Sequence, residues 1–254
     1  MQLLIFVVKK CTSLLGVLTL PAFCAIPERR RQARDVEDVL ISFVDAPSLC
    51  STGVSMMLQA VGVPRRGWNR PLQPDTQNAA LPRTCSKAVN RYSGVQQIHP
   101  QPGFGQPFEV FCDQEYEDGD WIVVQNRFEG SVHFSRDWFA YENGFGDINN
   151  GELWLGLRKI HELTYSGRYE LHVIVENWAG EQGTAKYSEI LVAGPSEKYE
   201  LRSIGTFTGG NAGDGLDWHK NMQFSTMDAD NDRSFENCAK IHHGGWWFNN
   251  CHSR

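Results

Sequence analysis

The chain has 254 residues, 41% hydrophobic and 21% charged, with a formal net charge of -6. That length suits one full domain plus an extension, or two small domains, and the composition excludes a collagen, a low-complexity tail and a multi-span membrane protein. Residues 83–254 hold 15 Lys+Arg against 24 Asp+Glu, which gives no basic stripe for a nucleic-acid backbone or an anionic membrane surface.

At the N-terminus, Leu3–Val8 is apolar, Lys9 and Lys10 interrupt, and Ser13–Leu20 is apolar again. Ala22-Phe23-Cys24 places small residues where a cleavage site after Cys24 needs them, so residues 1–24 read as a secretory signal. A buried N-terminal helix or a short membrane anchor competes with that reading. The longest uncharged run falls short of the roughly 20 residues a spanning helix needs, and no membrane insertion is expected. Cleavage removes Cys11 and Cys24 and leaves Cys50, Cys85, Cys112, Cys238 and Cys251 in an oxidising compartment, where disulfides are the default. The chain contains no Asn-x-Ser/Thr sequon.

Residues 25–82 read as a largely irregular extension. Arg29, Arg30, Arg31 and Arg34 form a solvated charged run, with a basic processing site as the weaker reading. Val36–Val44 has the pattern of one short amphipathic helix, far too short for a multi-heptad coiled coil. Pro64, Pro71, Pro74 and Pro82 make residues 63–82 a linker.

From Arg83 onward the pattern is that of an α+β domain. Trp121–Gln125 is a predicted strand, Arg136–Glu142 a helix with Trp138 and Phe139 inward, and Leu157–Leu163 a second short helix. Over Arg168–Trp178, Tyr169, Leu171, Val173 and Val175 face one way, and Glu170, His172 and Glu176 the other. This alternation predicts a half-buried strand. Ala185–Leu191 and Lys198–Phe207 follow as strands. Short strands joined locally, with few helices, predict an antiparallel sheet.

The densest chemistry lies at the end. Asp228, Asp230 and Asp232 alternate within five residues. Like charges this close repel unless water or a cation screens them, and hard oxygen ligands suit calcium. An EF-hand loop starting at Asp228 fails, because position six is Arg233 instead of glycine and position twelve is Ala239 instead of glutamate. An acidic solvated turn is the alternative. Cys238, His242, His243, Cys251 and His252 raise zinc, but after secretion a Cys238–Cys251 disulfide is favoured, contributing roughly 3 kcal/mol by loop entropy. Gly244 and Gly245 permit backbone turns. Trp246 and Trp247 are either core or a binding wall. No Gly-x-Ser-x-Gly elbow, phosphate-cradling loop or His-Glu-x-x-His is present, and no enzyme activity is expected.

Many short stretches in order carry a resemblance. They include Phe111-Cys112-Asp113, Gly119-Asp-Trp121 through Arg127, Gly130-Ser-Val132, Asn143-Gly-Phe-Gly146 and Glu152-Leu-Trp154-Leu-Gly156. They continue with Tyr169-Glu-Leu171, Ala185-Lys-Tyr187, Phe224-Ser-Thr226, Asp230-Asn-Asp232, Asn237-Cys238-Ala239, Gly245-Trp-Trp247 and Cys251-His252. From about Cys85 to the end, the chain resembles the fibrinogen C-terminal domain of fibrinogen chains, ficolins, angiopoietins, tenascins and tachylectin-like proteins, with wording closest to insect members.

The resemblance implies an α+β fold with a central twisted, mainly antiparallel sheet, short helices and a loop-rich calcium-binding subdomain, over residues 83–254. It implies disulfides Cys85–Cys112 and Cys238–Cys251. Calcium falls to the side chains of Asp230 and Asp232 and the carbonyls of Ser234 and Glu236, with Asp228 not a principal ligand. The Asn250–Cys251 peptide is expected to be cis. Asn250, Cys251 and His252, with Trp247 and Phe248 beside Trp246, are the expected ligand-binding residues. Family members continue beyond Cys-His with further pocket aromatics and a strand that returns to the central sheet, whereas this chain stops at Ser253-Arg254. The expectation is therefore a truncated domain with exposed sheet edges, poor solubility and weak ligand binding.

The function expected first is a secreted, extracellular, calcium-dependent lectin-like protein binding acetylated glycans in innate immune defence. The alternative is a receptor or matrix ligand in development or adhesion, angiopoietin- or tenascin-like, that binds a protein receptor. Cys50 is a candidate intermolecular disulfide that would link a homodimer and add multivalency; a free or buried thiol is the alternative.

Overall fold

A computed structural model describes residues 3–11, 80–149 and 151–252. The expected extension, its linker and Cys50 lie outside the described residues, apart from 80–82. Ten strands form one sheet whose main path runs β10-β8-β7-β1-β4-β3-β2, every pairing antiparallel. The strands are β1 (Leu3–Lys10), β2 (Gly94–Ile98), β3 (Phe108–Asp113), β4 (Trp121–Arg127), β5 (Phe145–Gly146), β6 (Leu153–Trp154), β7 (Tyr169–Glu176), β8 (Gln182–Val192), β9 (Leu201–Ser203) and β10 (Phe207–Gly209). Three short helices accompany them: α1 (Trp138–Asn143), α2 (Leu157–Tyr165) and α3 (Cys238–Ile241). The α+β expectation with a mainly antiparallel sheet holds.

The gap expected where the returning strand is missing is filled. Leu3–Lys10 lies there, paired along its whole length with β7 and over five residues with β4. The physical reason is local. Leu3-Leu-Ile-Phe-Val-Val8 is rich in residues that suit a pleated strand, and β4 and β7 otherwise present two rows of unmade backbone hydrogen bonds. Val7 and Val8 are fully buried. The edges of β4 and β7, expected to be exposed, are therefore paired in this fold. Of the residues read as a signal, Leu3–Lys10 form this strand.

Two other expectations need correction. Phe139 is 72% exposed rather than inward, because α1 is only six residues long and buries Tyr141 instead. His172 is buried although it lies on the face opposite Tyr169, Leu171 and Val173. That second face is covered by Trp121 at the start of β4, 4.3 Å from the imidazole, and by Tyr116 in the turn after β3, whose Oη lies 3.1 Å from Nδ1. The alternation gave the strand correctly but could not show that both faces were covered.

On the main core face, α2 sets Leu157, Ile160 and Leu163 against the sheet. The Cys85–Cys112 disulfide fixes the entry to the domain beside β3.

Candidate functional site

The site occupies the loop-rich end, residues 224–252, which hangs from the aromatic core. Phe224 is fully buried, with Trp247 edge-on at 5.0 Å and Tyr141 at 5.2 Å. Ser225 and Trp246 pair as an antiparallel bridge and tie the two ends of the segment. A Cβ on Gly245 would lie 2.7 Å from Phe224 and 2.8 Å from Tyr141, so Gly245 is required by close approach of the backbone to these rings. Neither it nor Gly244 adopts a positive φ; His243 does, at +51°. The turn expected at the glycine pair is thus made by the histidine before it.

The acidic loop folds on itself. Asp232 accepts from the backbone N–H of Ser234 at 2.8 Å and of Cys238 at 2.9 Å, and its own N–H reaches Asp230 Oδ1 at 3.4 Å. Partial burial, and then the neighbouring Asp230 carboxylate, push Asp232 above the usual carboxylate range against the pull of those two N–H donors. Asn231 anchors the loop to the core through Phe224 O at 2.8 Å, and Asn237 caps α3 by accepting from Lys240 N–H at 2.9 Å. Asp228 points elsewhere. Its Oδ1 accepts from Trp138 N–H at 2.8 Å and from Thr226 Oγ at 2.7 Å, so it supports the first turn of α1. Spacing alone groups Asp228 with the other two aspartates; the structure separates it.

Two carboxylates and nearby main-chain carbonyls make a hard-oxygen set of the type calcium takes. Both Asp232 oxygens already accept an N–H, yet a carboxylate oxygen carries a second lone pair for a cation, so the residues present fit the ion. Among the described residues no three Cys, His, Asp or Glu side chains gather as a metal cluster. Zinc at Cys238 and Cys251 is excluded, because those residues form a disulfide.

That disulfide brings the acidic loop beside Asn250, Cys251 and His252. Arg233 N–H donates to Asn249 O at 2.9 Å and completes the link. The Asn250–Cys251 peptide is trans, as are all described peptides, and Cys251 makes the turn with φ at +45°. The cis expectation is corrected: cis costs about 3 kcal/mol at a non-proline bond, and a left-handed residue achieves the reversal without it.

Trp246, Trp247 and Phe248 are all buried. Trp247 Nε1–H donates to Tyr199 O at 2.6 Å, while its own carbonyl meets His219 Nδ1 at 2.8 Å. His242 stacks on Phe248 at 5.7 Å and tilts against His252 at 4.7 Å. Burial, then the nearby His252 and His243, hold His242 below the usual imidazole range. His252 Nδ1 is buried with no hydrogen-bond partner among the described residues, while Asn250 and His243 are exposed.

One buried carboxylate escaped the sequence reading. Glu152, 1% exposed, accepts from the N–H groups of Phe128, Glu129 and Gly130 on Oε1, at 2.7, 2.9 and 2.8 Å, and from Val132 on Oε2 at 2.9 Å. The available signal was an acid directly before the apolar Leu153-Trp154-Leu155, where a charge needs dedicated partners.

Residues 81–254 match the family described as fibrinogen beta and gamma chains, C-terminal globular domain. Angiopoietin-related protein 2 of Homo sapiens is 46% identical over 172 residues, 66% of this chain and 34% of that protein. Angiopoietin-related protein 1 of Homo sapiens is 42% identical over 165 residues, 65% of this chain and 33% of that protein. The chain spans about a third of the length of these relatives. Among solved structures, the fibrinogen-like globe domain of human ANGPTL2 aligns with a TM-score of 0.64 and 41% identity, covering 67% of this chain and 79% of that one. Lamprey fibrin D-dimer, complexed with the peptide ligand Gly-His-Arg-Pro-amide, aligns with a TM-score of 0.63 and 34% identity, covering 73% of this chain and 64% of that one. The likeness runs to vertebrate angiopoietin-related proteins, and the expected kinship with insect members and with ficolins or tachylectins gains no support from it.

Proposed function

The chain belongs to the fibrinogen C-terminal globular domain family, and from that premise we propose that it is a secreted ligand acting by protein–protein binding. The observation that carries this reading is the burial of Trp246, Trp247 and Phe248. These rings are core rather than an aromatic trough, and the exposed surface at this end sets Asn250, His243 and the acidic loop beside exposed Phe235, Met227 and Ile241. An open face that mixes apolar and polar side chains suits a protein partner better than a small sugar, which needs a concave pocket. The likeness to angiopoietin-related proteins supports the same reading, as does a related fold that holds a peptide. Secretion is supported by the leader pattern and by two disulfides.

Labelled full-length chain is expected to bind cells saturably, with no loss of binding in excess N-acetylglucosamine. Calcium-dependent retention on an N-acetylglucosamine resin, without saturable cell binding, would overturn the proposal and return the acetylated-glycan reading.

Calcium belongs to the same proposal, held by Asp230 and Asp232 side chains and by the Ser234 and Glu236 carbonyls. Bound there, it neutralises two carboxylates and stiffens the loop that the disulfide couples to Asn250. Calcium at roughly 100 times its Kd is expected to stabilise the fold by about 3 kcal/mol. Asp230→Asn with Asp232→Asn should abolish the melting-temperature shift that calorimetry reads with and without chelator. Cys50 is proposed to join two chains; the expected result is a dimer band on a non-reducing gel that Cys50→Ser removes.

A further inference from the structure

The sheet has one joint, and it is made by a strand that no described covalent bond fastens in place. Without β1, the path β10-β8-β7-β1-β4-β3-β2 falls into two three-stranded halves, because β7 and β4 pair with β1 and not with each other. Among the described residues, Cys85–Cys112 and Cys238–Cys251 are the disulfides, and neither touches β1, whose neighbour Cys11 is a free thiol. Among the described residues, pairing, packing and charge hold the strand.

The slot is specific. β1 meets β7 in unbroken register from Leu3↔Glu176 to Lys10↔Tyr169. Against β4 the register skips: Phe6 lies opposite Gln125 and Val7 opposite Val123. The residue passed over is Val124, whose carbonyl instead accepts from Leu155 N–H at 2.8 Å. A bulge built into β4 and stabilised from its other side fixes where an incoming strand stops, since a one-residue slip would turn every side chain to the wrong face. Val7 and Val8 are then fully buried. The exit of the slot is charged: Lys9 Nζ reaches Asp118 Oδ1 at 2.5 Å and lies 5.6 Å above the Trp121 ring, while Cys11 N–H donates to Arg168 O at 2.8 Å.

We propose that the gap between β4 and β7 is a strand-acceptor site whose ligand is the Leu3–Lys10 segment, bound as a separable peptide. Strand addition takes affinity from backbone hydrogen bonds and selectivity from side-chain pockets, and here both rows of hydrogen bonds are available at once. The segment that fits has a run of apolar residues followed by a lysine aimed at Asp118. The same residues carry the leader pattern, so cleavage after Cys24 would turn an intramolecular strand into a bound peptide. The proposal does not depend on the partner proposed above.

The test uses the full chain carrying Val8→Asp, which places an unpaired carboxylate in the buried centre of the slot. Fluorescein-labelled peptide Leu3–Lys10 is added during oxidative refolding. The expected result is saturable binding by anisotropy and a dose-dependent rise in the melting temperature of the variant towards the wild-type value. The same peptide carrying Val8→Asp should bind at least about 100-fold more weakly. If the variant does not fold alone, recovery of soluble protein with the wild-type peptide, and not with the substituted one, supports the site. A variant that melts like the parent, a peptide that neither binds nor rescues, or two peptides that act equally would each overturn it.

Discussion

Glu152→Ala is expected to destabilise the domain by about 4 kcal/mol and to lower its melting temperature by roughly 10 °C. The carboxylate is 1% exposed and gathers four backbone N–H groups of the turn at residues 128–132. Truncation removes the acceptor and strands the donors where solvent cannot reach them without opening the turn. Charge-assisted hydrogen bonds of this type exceed neutral ones by roughly twofold. Glu152→Gln separates the effects. Its amide oxygen can still serve Phe128, Glu129 and Gly130, but its NH2 then faces the Val132 N–H, donor against donor. The expected loss is about 2 kcal/mol. Denaturant melts of the two variants check the ordering, and equal losses would show that the charge rather than the acceptor geometry holds the turn.

A second large effect is expected with acid. Burial, opposed by Glu117 and reinforced by Lys186 and Lys9, depresses His172 to about 4. Burial, opposed by the Trp247 carbonyl and reinforced by His252, depresses His219 to about 4. Both rings are held neutral in the folded protein, while in the unfolded chain each titrates near 6.5. Below that value the unfolded state takes up protons that the folded state refuses. Stability is therefore full above about pH 7, falls as pH drops from 6.5 towards 4, and levels off once the folded rings protonate. Each histidine contributes roughly 3 kcal/mol to that loss. Against a total stability of about 5–15 kcal/mol, the pair would bring the domain close to unfolding in mild acid. The groups acting on His172 are Tyr116, Glu117 and Asp118 from the turn, Lys9 from β1, Glu170 from its own strand and Lys186 from β8. Denaturant midpoints at pH 7.5 and pH 4.5 should converge in His172→Asn by about half the wild-type difference. An unchanged difference would assign the acid loss to carboxylates.

Much of the fold was legible in the residues. The alternation from Tyr169 to Glu176 and the apolar spacing of Leu157, Ile160 and Leu163 are local signals, and the corresponding strand and helix appear where they point. The order of motifs from Phe111 to His252 brought the family and both disulfides into view. The role of Glu152 was not legible, because its partners lie some twenty residues away in a turn. The tryptophan pair could be named as core or wall but not assigned, since the deciding contacts, Tyr199 O and Phe224, come from other segments.

The sequence by itself determined composition, period and covalent frame: which stretches extend, which cysteines are available to pair, and which acids crowd together. Tertiary structure decided what each apolar run is packed against. Leu3–Val8 reads from sequence as part of a leader, with a buried helix or a membrane anchor as the alternative, because each demands the same unbroken apolar residues. Only the hydrogen-bonding edges of β4 and β7, more than a hundred residues away in sequence, make it the joint of the sheet. Asp228 likewise belongs with Asp230 and Asp232 by spacing, but with α1 by contact. Spacing records neighbours along the chain, whereas burial and pairing are settled between distant segments.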